Sequence, residues 1–571
     1  MEHFEVINEI VKKNGYKSYL EIGVAVPERN YDLIECDFKE GCDPYYDADY
    51  DYGFGDLRER LSEFREKVTY CMTSDEMFAM MPKEKKYDVI FVDGGHSEEQ
   101  SKKDIINSLK HVSENGVVIV DDALPRKEEF AREERITDEW YGCVYKSILD
   151  FGRIGGRYAC IKNGGVAILP AQKMTKEQED DFLMSSQFGW EDYADDTPSK
   201  MHMVDLDKYG AKVMIYHNCE YLTKPENRHF GKDGNLIFGG TEFWIAGIAK
   251  NLSKWGYNVS VFADVLLDKS CEGVTYSPRI SSYSKDISPN VFEKFDVAIV
   301  TTDIEITSKL HCNRTILAPT CELFNSNFGD FAPADSVAIL SEWQKKRFGS
   351  LYKIPNDMMF RHFLPCQYDM YDDYADIEKE NAMVWSSAPI RGLRFFIERV
   401  MPKIRKAIPD FKLYICGYNE DHYEKEWAKY VKGVEPMINA GKKELSTLQK
   451  KSKIWVYPNI GRSDTSGFFM ETYCITAVEN ALAGNAIVCF NGKDGISSTL
   501  EGYSGFLDGS IINEYDENFM LYYEDAANAL AEAAIRVLTD DNLRKWLAAE
   551  AREICTKYTW EKETSIICSK F

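Results

Sequence analysis

The chain has 571 residues, 44% of them hydrophobic and 29% charged, with a formal net charge of −25 at pH 7. That length exceeds a single core and predicts roughly three or four compact units. The acidic balance argues against nucleic acid as a partner and against a broad grip on anionic lipid, since both need clustered Lys and Arg; a local groove for a small phosphate ligand stays compatible with it.

The first segment, MEHFEVINEIVKKNG, reads as an amphipathic helix and not as a signal peptide. SYLEIGVAVPERNYDLI follows as a strand that continues into a helix. KEGCDP is a short strand ending in Asp43, and VTYCMTSD and YDVIFVDGGH are two more. SEEQSKKDIINSLKHV is a helix with apolar positions at Ile105, Ile106, Leu109 and Val112. GVVIVDDALP is a strand ending in two aspartates. This alternation marks an α/β unit with a parallel sheet. Acids recur at the strand ends: Glu21, Asp43, Asp75, Asp93, Asp121 and Asp122. Ligands of open parallel sheets sit at those ends, so a ligand site is expected there. The stretch TKEQEDDFLMSSQFGWEDYADDTPSKM is polar and acidic, and reads as a linker. A second α/β series starts at KVMIYHN and runs to the C-terminus, with an acidic break at QYDMYDDYADIEKEN. The boundaries read 1–172, a linker at 173–209, 210–370 and 371–571.

The fifteen cysteines show no CxxC pair and no Cys/His ligand spacing. Several, such as Cys416 in KLYICGY and Cys489 in AIVCF, lie in apolar runs. Buried thiols in a reducing compartment are expected. No apolar run approaches the roughly 20 residues that cross a bilayer. A cytoplasmic protein without an integral membrane segment is therefore expected.

In the first unit, Glu21 to Asp43 is close to the spacing of about 20 residues at which an acid meets a ribose diol. Gly23 stands nearly alone, without the G-x-G-x-x-G that brings a pyrophosphate against backbone amides. A ligand with ribose but no pyrophosphate fits better, and S-adenosylmethionine is one. LEIGVAVP, GCDP, SDEMF, VDGGH, VDDALP and WYGCVYK, in that order, resemble the class I methyltransferases of glycan-synthesis pathways. The resemblance implies that Glu21 and Gly23 border the methionine end, that Asp43 holds the ribose and that Asp75 lies near the adenine. Asp93, His96, Asp121 and Asp122 would face the acceptor. Asp93, Asp121 and Asp122 would hold a divalent cation, Mg²⁺ being the suited ion. Alternatively His96 would serve as general base. The family often has a second glycine where Pro27 stands.

In the second series, METYCITAVENALAGNAIV places Glu471 and Glu479 eight positions apart. A helix over 472–483 would separate them by about 12 Å along its axis, comparable to the span from hexose to ribose in a nucleotide-sugar. Thr472, Tyr473 and the next residues would offer free amides to the diphosphate. Gly484 would end the helix. The segment resembles the acidic motif of retaining glycosyltransferases of family 4, which have the GT-B fold of two facing Rossmann-like domains. KIWVYPN, GNAIVCFNGKDGISSTL, EGYSGFL, SSAPIRGLRFFIERVMPKI, IFGGTEFWIAGIAKNLSKWGYNVSVFAD, VAILSEWQKKRF and YTWEKETSIICSKF resemble its other segments. The resemblance implies that Glu479 accepts the ribose hydroxyls, Glu471 a sugar hydroxyl, and Arg391 the diphosphate, where the family usually has Lys. Gly239 and Gly240 would let backbone amides approach a phosphate or acceptor. Relatives carry a strand-end histidine near the anomeric carbon; TILAPTCELFN has none, which leaves Thr320 or Glu322 to make that contact. The last helix would cross back to the first domain of the pair.

The combined expectation is an α/β chain: a Rossmann-like methyltransferase domain followed by a GT-B pair. It would transfer a sugar from a UDP- or GDP-sugar to a glycan or glycolipid acceptor with retention, and O-methylate a sugar hydroxyl with S-adenosylmethionine. The alternative is a glycosyltransferase with an inactive methyltransferase-like scaffold domain.

Overall fold

The computed structural model describes residues 1–44, 64, 66–217, 240–265, 268–280, 286–301, 304–320, 334–417, 431–438, 440–459, 462–463, 467–468, 471–492, 494–511 and 519–571. They fall into two compact units: Met1–Ala211 with Lys250–Asn258, and Lys212–Ala249 with Val259–Phe571.

In the first unit, seven strands form one sheet: β1 (Ser18–Ile22), β2 (Phe38–Cys42), β3 (Tyr87–Val92), β4 (Val112–Val120), β5 (Ala159–Ile161), β6 (Ala167–Pro170) and β7 (Met203–Val204). Their order is β2-β1-β3-β4-β6-β5-β7. The first four are parallel, and β6 runs antiparallel to β4. The apolar runs of β3 and β4 are buried on both faces, as parallel strands covered by helices must be. The amphipathic helix His3–Asn14 buries Val6, Ile7, Ile10 and Val11 and stops at Gly15 in the left-handed region.

Register positions the strand-end acids. Ile22 pairs with Cys42 on one side and with Val92 on the other, and Val92 pairs with Val120. Gly23, Asp43, Asp93 and Asp121 each follow one of these residues, so they emerge abreast at one edge.

Three local expectations change. The helix expected after β1 is a pair of 3₁₀ turns, Pro27–Arg29 and Tyr31–Leu33. Ala25 there takes a left-handed φ of 45° as its amide turns toward Asp43, which breaks a helical path. The strand expected in VTYCMTSD is reduced to one bridge, Cys42 to Tyr70. The stretch 173–209, read as a linker from its acidity, belongs to the first unit and carries the helices Lys176–Phe182, Trp190–Ala194 and Thr197–Lys200. Its few apolar residues decide this: Phe182, Tyr193 and Met201 are buried in the core of the unit. Polar ties add to them. The Tyr193 hydroxyl donates to the Pro125 carbonyl at 2.9 Å. The buried Lys102 ammonium donates to Met184 O at 2.7 Å, to Glu98 at 2.7 Å and to Asp150 at 2.6 Å.

His202 is sandwiched between Tyr158, 4.2 Å away by ring centroids, and Trp255, 5.0 Å away. Burial lowers its pKa to about 3. The unfolded chain, with a histidine pKa near 6.5, binds a proton that the native state refuses between those values. Stability is therefore expected to fall as pH drops from about 6.5 toward 3, by up to about 1.4 kcal/mol per unit from this residue. Urea melts across that range should show the slope flatten in His202→Asn, a residue that tolerates the left-handed φ of 47° found there.

The second unit opens with an eight-stranded sheet: β8 (Lys212–Tyr216), β9 (Asn258–Ala263), β10 (Lys269–Cys271), β11 (Val274–Pro278), β12 (Lys294–Val300), β13 (His311–Leu317), β14 (Ser336–Ile339) and β15 (Met359–Arg361). The order is β10-β11-β9-β8-β12-β13-β14-β15. Further along the chain, β16 (Ala382–Trp385), β17 (Lys412–Gly417) and β18 (Val434–Ile438) form a parallel sheet. β19 (Ile454–Val456) pairs in parallel with β22 (Ala486–Val488), and the two-residue strands β20 (Arg462–Ser463) and β21 (Gly467–Phe468) lie between them in sequence. The fold class is thus α/β throughout, with Rossmann-like parallel sheets in both units.

The C-terminal helix Trp560–Cys568 is fastened to the helix Gly240–Lys254 and to the segment after β15. Glu563, fully buried, accepts from Trp244 Nε1 at 2.8 Å and from the Phe363 amide at 3.1 Å, and lies 2.9 Å from His362 Nδ1. Trp560 covers Gly247 so closely that a Cβ there would stand 2.0 Å from the indole. Among the described residues no helix is long and apolar enough to cross a membrane.

Candidate functional site

The acids at the β1–β4 edge are brought together. Glu21 is buried and accepts from the Tyr19 hydroxyl at 2.5 Å and from Asn30 Nδ2 at 2.9 Å. Burial pushes its carboxyl up to about 7. Gly23 has φ 87°, and a Cβ there would lie 1.8 Å from the Asp93 carbonyl, so no side chain fits between β1 and β3. Gly23→Ala is expected to displace this edge, read as a lowered Tm in thermal unfolding. The Asp43 carboxylate, at the end of β2, accepts from the Ala25 amide at 2.9 Å. Asp75, in the first turn of the helix Ser74–Met80, is 3.4 Å from Gln100 Nε2.

Burial, then the charge of neighbouring carboxylates, raises Asp93 and Asp121 well above the usual range. Two imidazoles reach this cluster. His96 Nδ1 is 2.9 Å from Asp122 and its Nε2 is 3.8 Å from Asp93. Trp140 stacks on His96 at 4.6 Å with a 10° interplanar angle. His3, from the first helix, places Nδ1 3.0 Å from Asp121. Among the described residues, the three aspartates expected to hold a cation do not converge on one point. Atoms within 4.8 Å of one another are those of His3, Asp93 and Asp121, and separately those of Asp93, His96 and Asp122. Asp122 has a left-handed φ of 57° and bonds its own amide to Asp121, which sends the two side chains apart. His3 carries no sequence signal of this role, and Trp140 opens the WYGCVYK motif, which by itself says nothing of its proximity to His96.

In the second unit the helix expected over 472–483 is shorter, Ile475–Leu482. Glu471, Thr472 and Tyr473 precede it, so its first-turn amides start at Ile475 and the helical spacing of the two acids does not hold. The Cys474 amide reaches Thr499 Oγ1 at 3.3 Å, which pulls the chain out of helical path before Ile475. Tyr473 packs edge-on against Tyr558, and the Thr472 hydroxyl donates to the Thr320 carbonyl at 2.8 Å. Gly484 does follow the helix with φ 72°.

Glu471 is 3% exposed. One oxygen accepts from Arg391 Nη1 at 2.7 Å and from the Tyr457 hydroxyl at 2.7 Å. The Gly495 amide donates to the Glu471 carbonyl at 2.7 Å, and a Cβ on Gly495 would meet the Thr472 carbonyl at 2.1 Å. The loop after β22 is thus strapped over Glu471. Asp494, in that loop, accepts from Asn459 Nδ2 at 3.3 Å and from the Glu471 amide at 3.4 Å. Burial, then the nearby Glu471 charge, raises it to about 7. Glu479 is also buried; it is held by Lys442 Nζ at 2.6 Å and Gln449 Nε2 at 3.3 Å. The sequence pointed to Glu471, Arg391 and Glu479, and missed Tyr457, Asp494 and Lys442, although KIWVYPN and the KDG of the loop held two of them.

Gly240 opens its helix, and a Cβ there would stand 2.8 Å from Ile475 Cδ1. Thr241 Oγ1 lies 2.5 Å from Thr320 Oγ1. Gly239 and Glu322 lie outside the described residues.

Residues 17–123 match the family model described as a methyltransferase domain, and residues 382–540 match that of glycosyl transferases group 1. No curated protein matches the chain. Among solved structures, a sucrose-phosphate synthase from Thermosynechococcus elongatus is similar at 12% identity and a TM-score of 0.45, over 62% of this chain and 96% of that one. The Anabaena protein HepE in complex with UDP-glucose is similar at 14% identity and a TM-score of 0.44, over 63% of this chain and all (100%) of that one. A glycosyltransferase from Rickettsia africae is similar at 12% identity and a TM-score of 0.43, over 62% and 96% of the two chains. The chain therefore carries two transferase domains, a methyltransferase domain and a group 1 glycosyl transferase domain, in one polypeptide.

Proposed function

We propose that the chain is a bifunctional, cytoplasmic enzyme of glycan assembly. Its second unit transfers a sugar from a UDP- or GDP-sugar to a glycan or glycolipid hydroxyl with retention, and its first unit O-methylates a sugar hydroxyl. One observation carries the transferase reading: the buried Glu471–Arg391 contact, strapped by the Gly495 loop inside the segment that matches the glycosyl transferase family. Arg391, released from Glu471 by the donor, is placed to meet the diphosphate bidentately, and Glu471 then accepts from a hydroxyl of the sugar. Glu479, whose carboxylate has lone pairs beyond those used by Lys442 and Gln449, takes the ribose diol. Catalysis rests on positioning and on neutralising charge as it develops on the departing diphosphate. The test is thermal shift and donor turnover with UDP-glucose, GDP-mannose and related nucleotide-sugars. Glu479→Ala is expected to weaken donor binding by about 10- to 100-fold, the worth of a hydrogen bond to a charged group. An unchanged dissociation constant would sink the donor site.

In the first unit, bound S-adenosylmethionine supplies the methyl group. Asp43 bonds its ribose and Glu21 borders its methionine end. His96, held by Asp122 and by the Trp140 face, is placed to accept the proton of the incoming hydroxyl. The donor set fits a divalent cation such as Mg²⁺: crowded carboxylates raised by burial and then by one another's charge, with two imidazoles beside them. Such a cation lowers the pKa of an acceptor hydroxyl. Calorimetry with S-adenosylmethionine should show Asp43→Ala binding at least about 10-fold more weakly. Mn²⁺ titration followed by electron paramagnetic resonance should show affinity lost in Asp93→Asn. The rival, an inactive scaffold, has one observation on its side, since His3 already engages Asp121. Absence of S-adenosylmethionine binding by the full chain would establish it.

A further inference from the structure

The helix His3–Asn14 carries its first residue to the edge where β3 and β4 end. Packing fixes its placement. Glu2 and Glu5 close a capping box at its start, Val6, Ile7, Ile10 and Val11 are buried, and the Lys13 ammonium donates to the Tyr209 carbonyl. The His3 ring lies 6.0 Å from that of Phe91, a β3 residue, and its Nδ1 is 3.0 Å from Asp121 Oδ2. The other Asp121 oxygen accepts from the Asp122 amide at 2.7 Å, which leaves Oδ2 to the imidazole. Neighbouring ligand atoms of one ion, each about 2.1 Å from it, stand about 3 Å apart. His3, Asp93 and Asp121 each offer such an atom within 4.8 Å of the other two.

The surrounding charge calls for an ion there. The charges that bear on Asp93 are those of Asp121, Asp122, Glu21 and Asp43, and those that bear on Asp121 are Asp122 and Glu21. Among the described residues, the ion pairs of Asp93, Asp121 and Asp122 are with histidines alone. Carboxylates withdrawn from water without a Lys or Arg cost free energy that a divalent ion offsets. The second set, Asp93 with His96 and Asp122, is less suited to hold it. His96 Nδ1 faces Asp122 at 2.9 Å, so an ion there would take the Nε2 lone pair that general-base action needs.

We infer that His3 is a ligand of the first unit's cation, together with Asp93 and Asp121, and that His96 with Asp122 is reserved for the proton. The inference rests on the cation reading of that unit and changes the ion, since a nitrogen among the donors favours a first-row transition ion over Mg²⁺. It assigns the His3–Asp121 contact to cation binding and not to an inactive scaffold. The ion in turn ties the first helix to the sheet edge.

The test uses the full chain labelled with ¹⁵N-histidine, and Mn²⁺ as the probe. Electron spin echo modulation should show a histidine nitrogen bound to Mn²⁺ in the unsubstituted chain and in His96→Gln, and should lose it in His3→Gln. The His3 side chain is 40% exposed, so this substitution spares the fold. The dissociation constant for Mn²⁺ should rise at least about tenfold in His3→Gln and stay within about threefold in His96→Gln. Mg²⁺ should compete with Mn²⁺ poorly in the unsubstituted chain and better in His3→Gln. The assignment is overturned by Mn²⁺ bound without a histidine nitrogen, by a nitrogen signal that persists in His3→Gln or disappears in His96→Gln, or by an unchanged dissociation constant in His3→Gln. No Mn²⁺ binding by the unsubstituted chain overturns instead the cation reading beneath it, so the two failures are distinguishable.

Discussion

Arg391→Ala is expected to lower kcat for sugar transfer by about 10²–10³-fold, the usual cost of removing one preorganised group that meets charge developing in the transition state. The same substitution removes one donor from the buried Glu471 carboxylate, so some loss of stability accompanies it. The two effects separate in measurement. Thermal unfolding reports the second, and kcat at saturating donor below the Tm reports the first. Arg391→Lys should recover only part of the rate, because an ammonium keeps the charge but loses the bidentate fork. A kcat within about threefold of the parent in a folded Arg391→Ala chain would remove Arg391 from the reaction. Glu471→Gln should also slow transfer, for a different reason: a neutral amide no longer balances the guanidinium before the donor arrives.

Glu563→Ala is expected to cost about 3–5 kcal/mol of stability, the range for breaking a buried charged network by removing one partner. Its carboxylate is the common acceptor for the Trp244 indole and the Phe363 amide, with His362 beside it. All four residues are buried. Truncation leaves two buried N–H groups without that acceptor, and it frees the final helix from the helix Gly240–Lys254, whose first turn holds Gly240, Thr241 and Glu242. Glu563→Gln should cost less than alanine, since its carbonyl oxygen still accepts one of those bonds. Urea denaturation measures both. A midpoint unmoved in the alanine variant would show that Trp560 on Gly247 suffices to hold the helix.

Much of the fold was legible in the sequence. The strands with apolar runs, KVMIYHN, YDVIFVDGGH and GVVIVDDALP, formed where periodicity placed them, because a parallel strand covered on both faces must be apolar throughout. The acids after β2, β3 and β4 were legible as a group, since Asp43, Asp93 and Asp121 each directly follow a strand. Elements with mixed signals were read less well. The segment 173–209 looked like a linker because acidic residues outnumber apolar ones; three buried side chains, Phe182, Tyr193 and Met201, were enough to fold it onto the sheet. The helix of the acidic motif starts three residues later than expected, since contacts of Thr472 and Cys474 with Thr320 and Thr499, distant in sequence, outweigh local propensity.

The sequence by itself determined the succession of α/β units, the carboxylates at the strand ends, and Arg391, Glu471 and Glu479 as a group worth testing. These depend on local pattern and on motif order, both written along the chain. Only the tertiary structure decided which partners those groups meet: His3 on Asp121, Trp140 on His96, and Tyr457 and Asp494 around Glu471. Such pairings are fixed by strand register and by packing between distant segments, which bring together atoms whose separation along the chain carries no trace of their proximity.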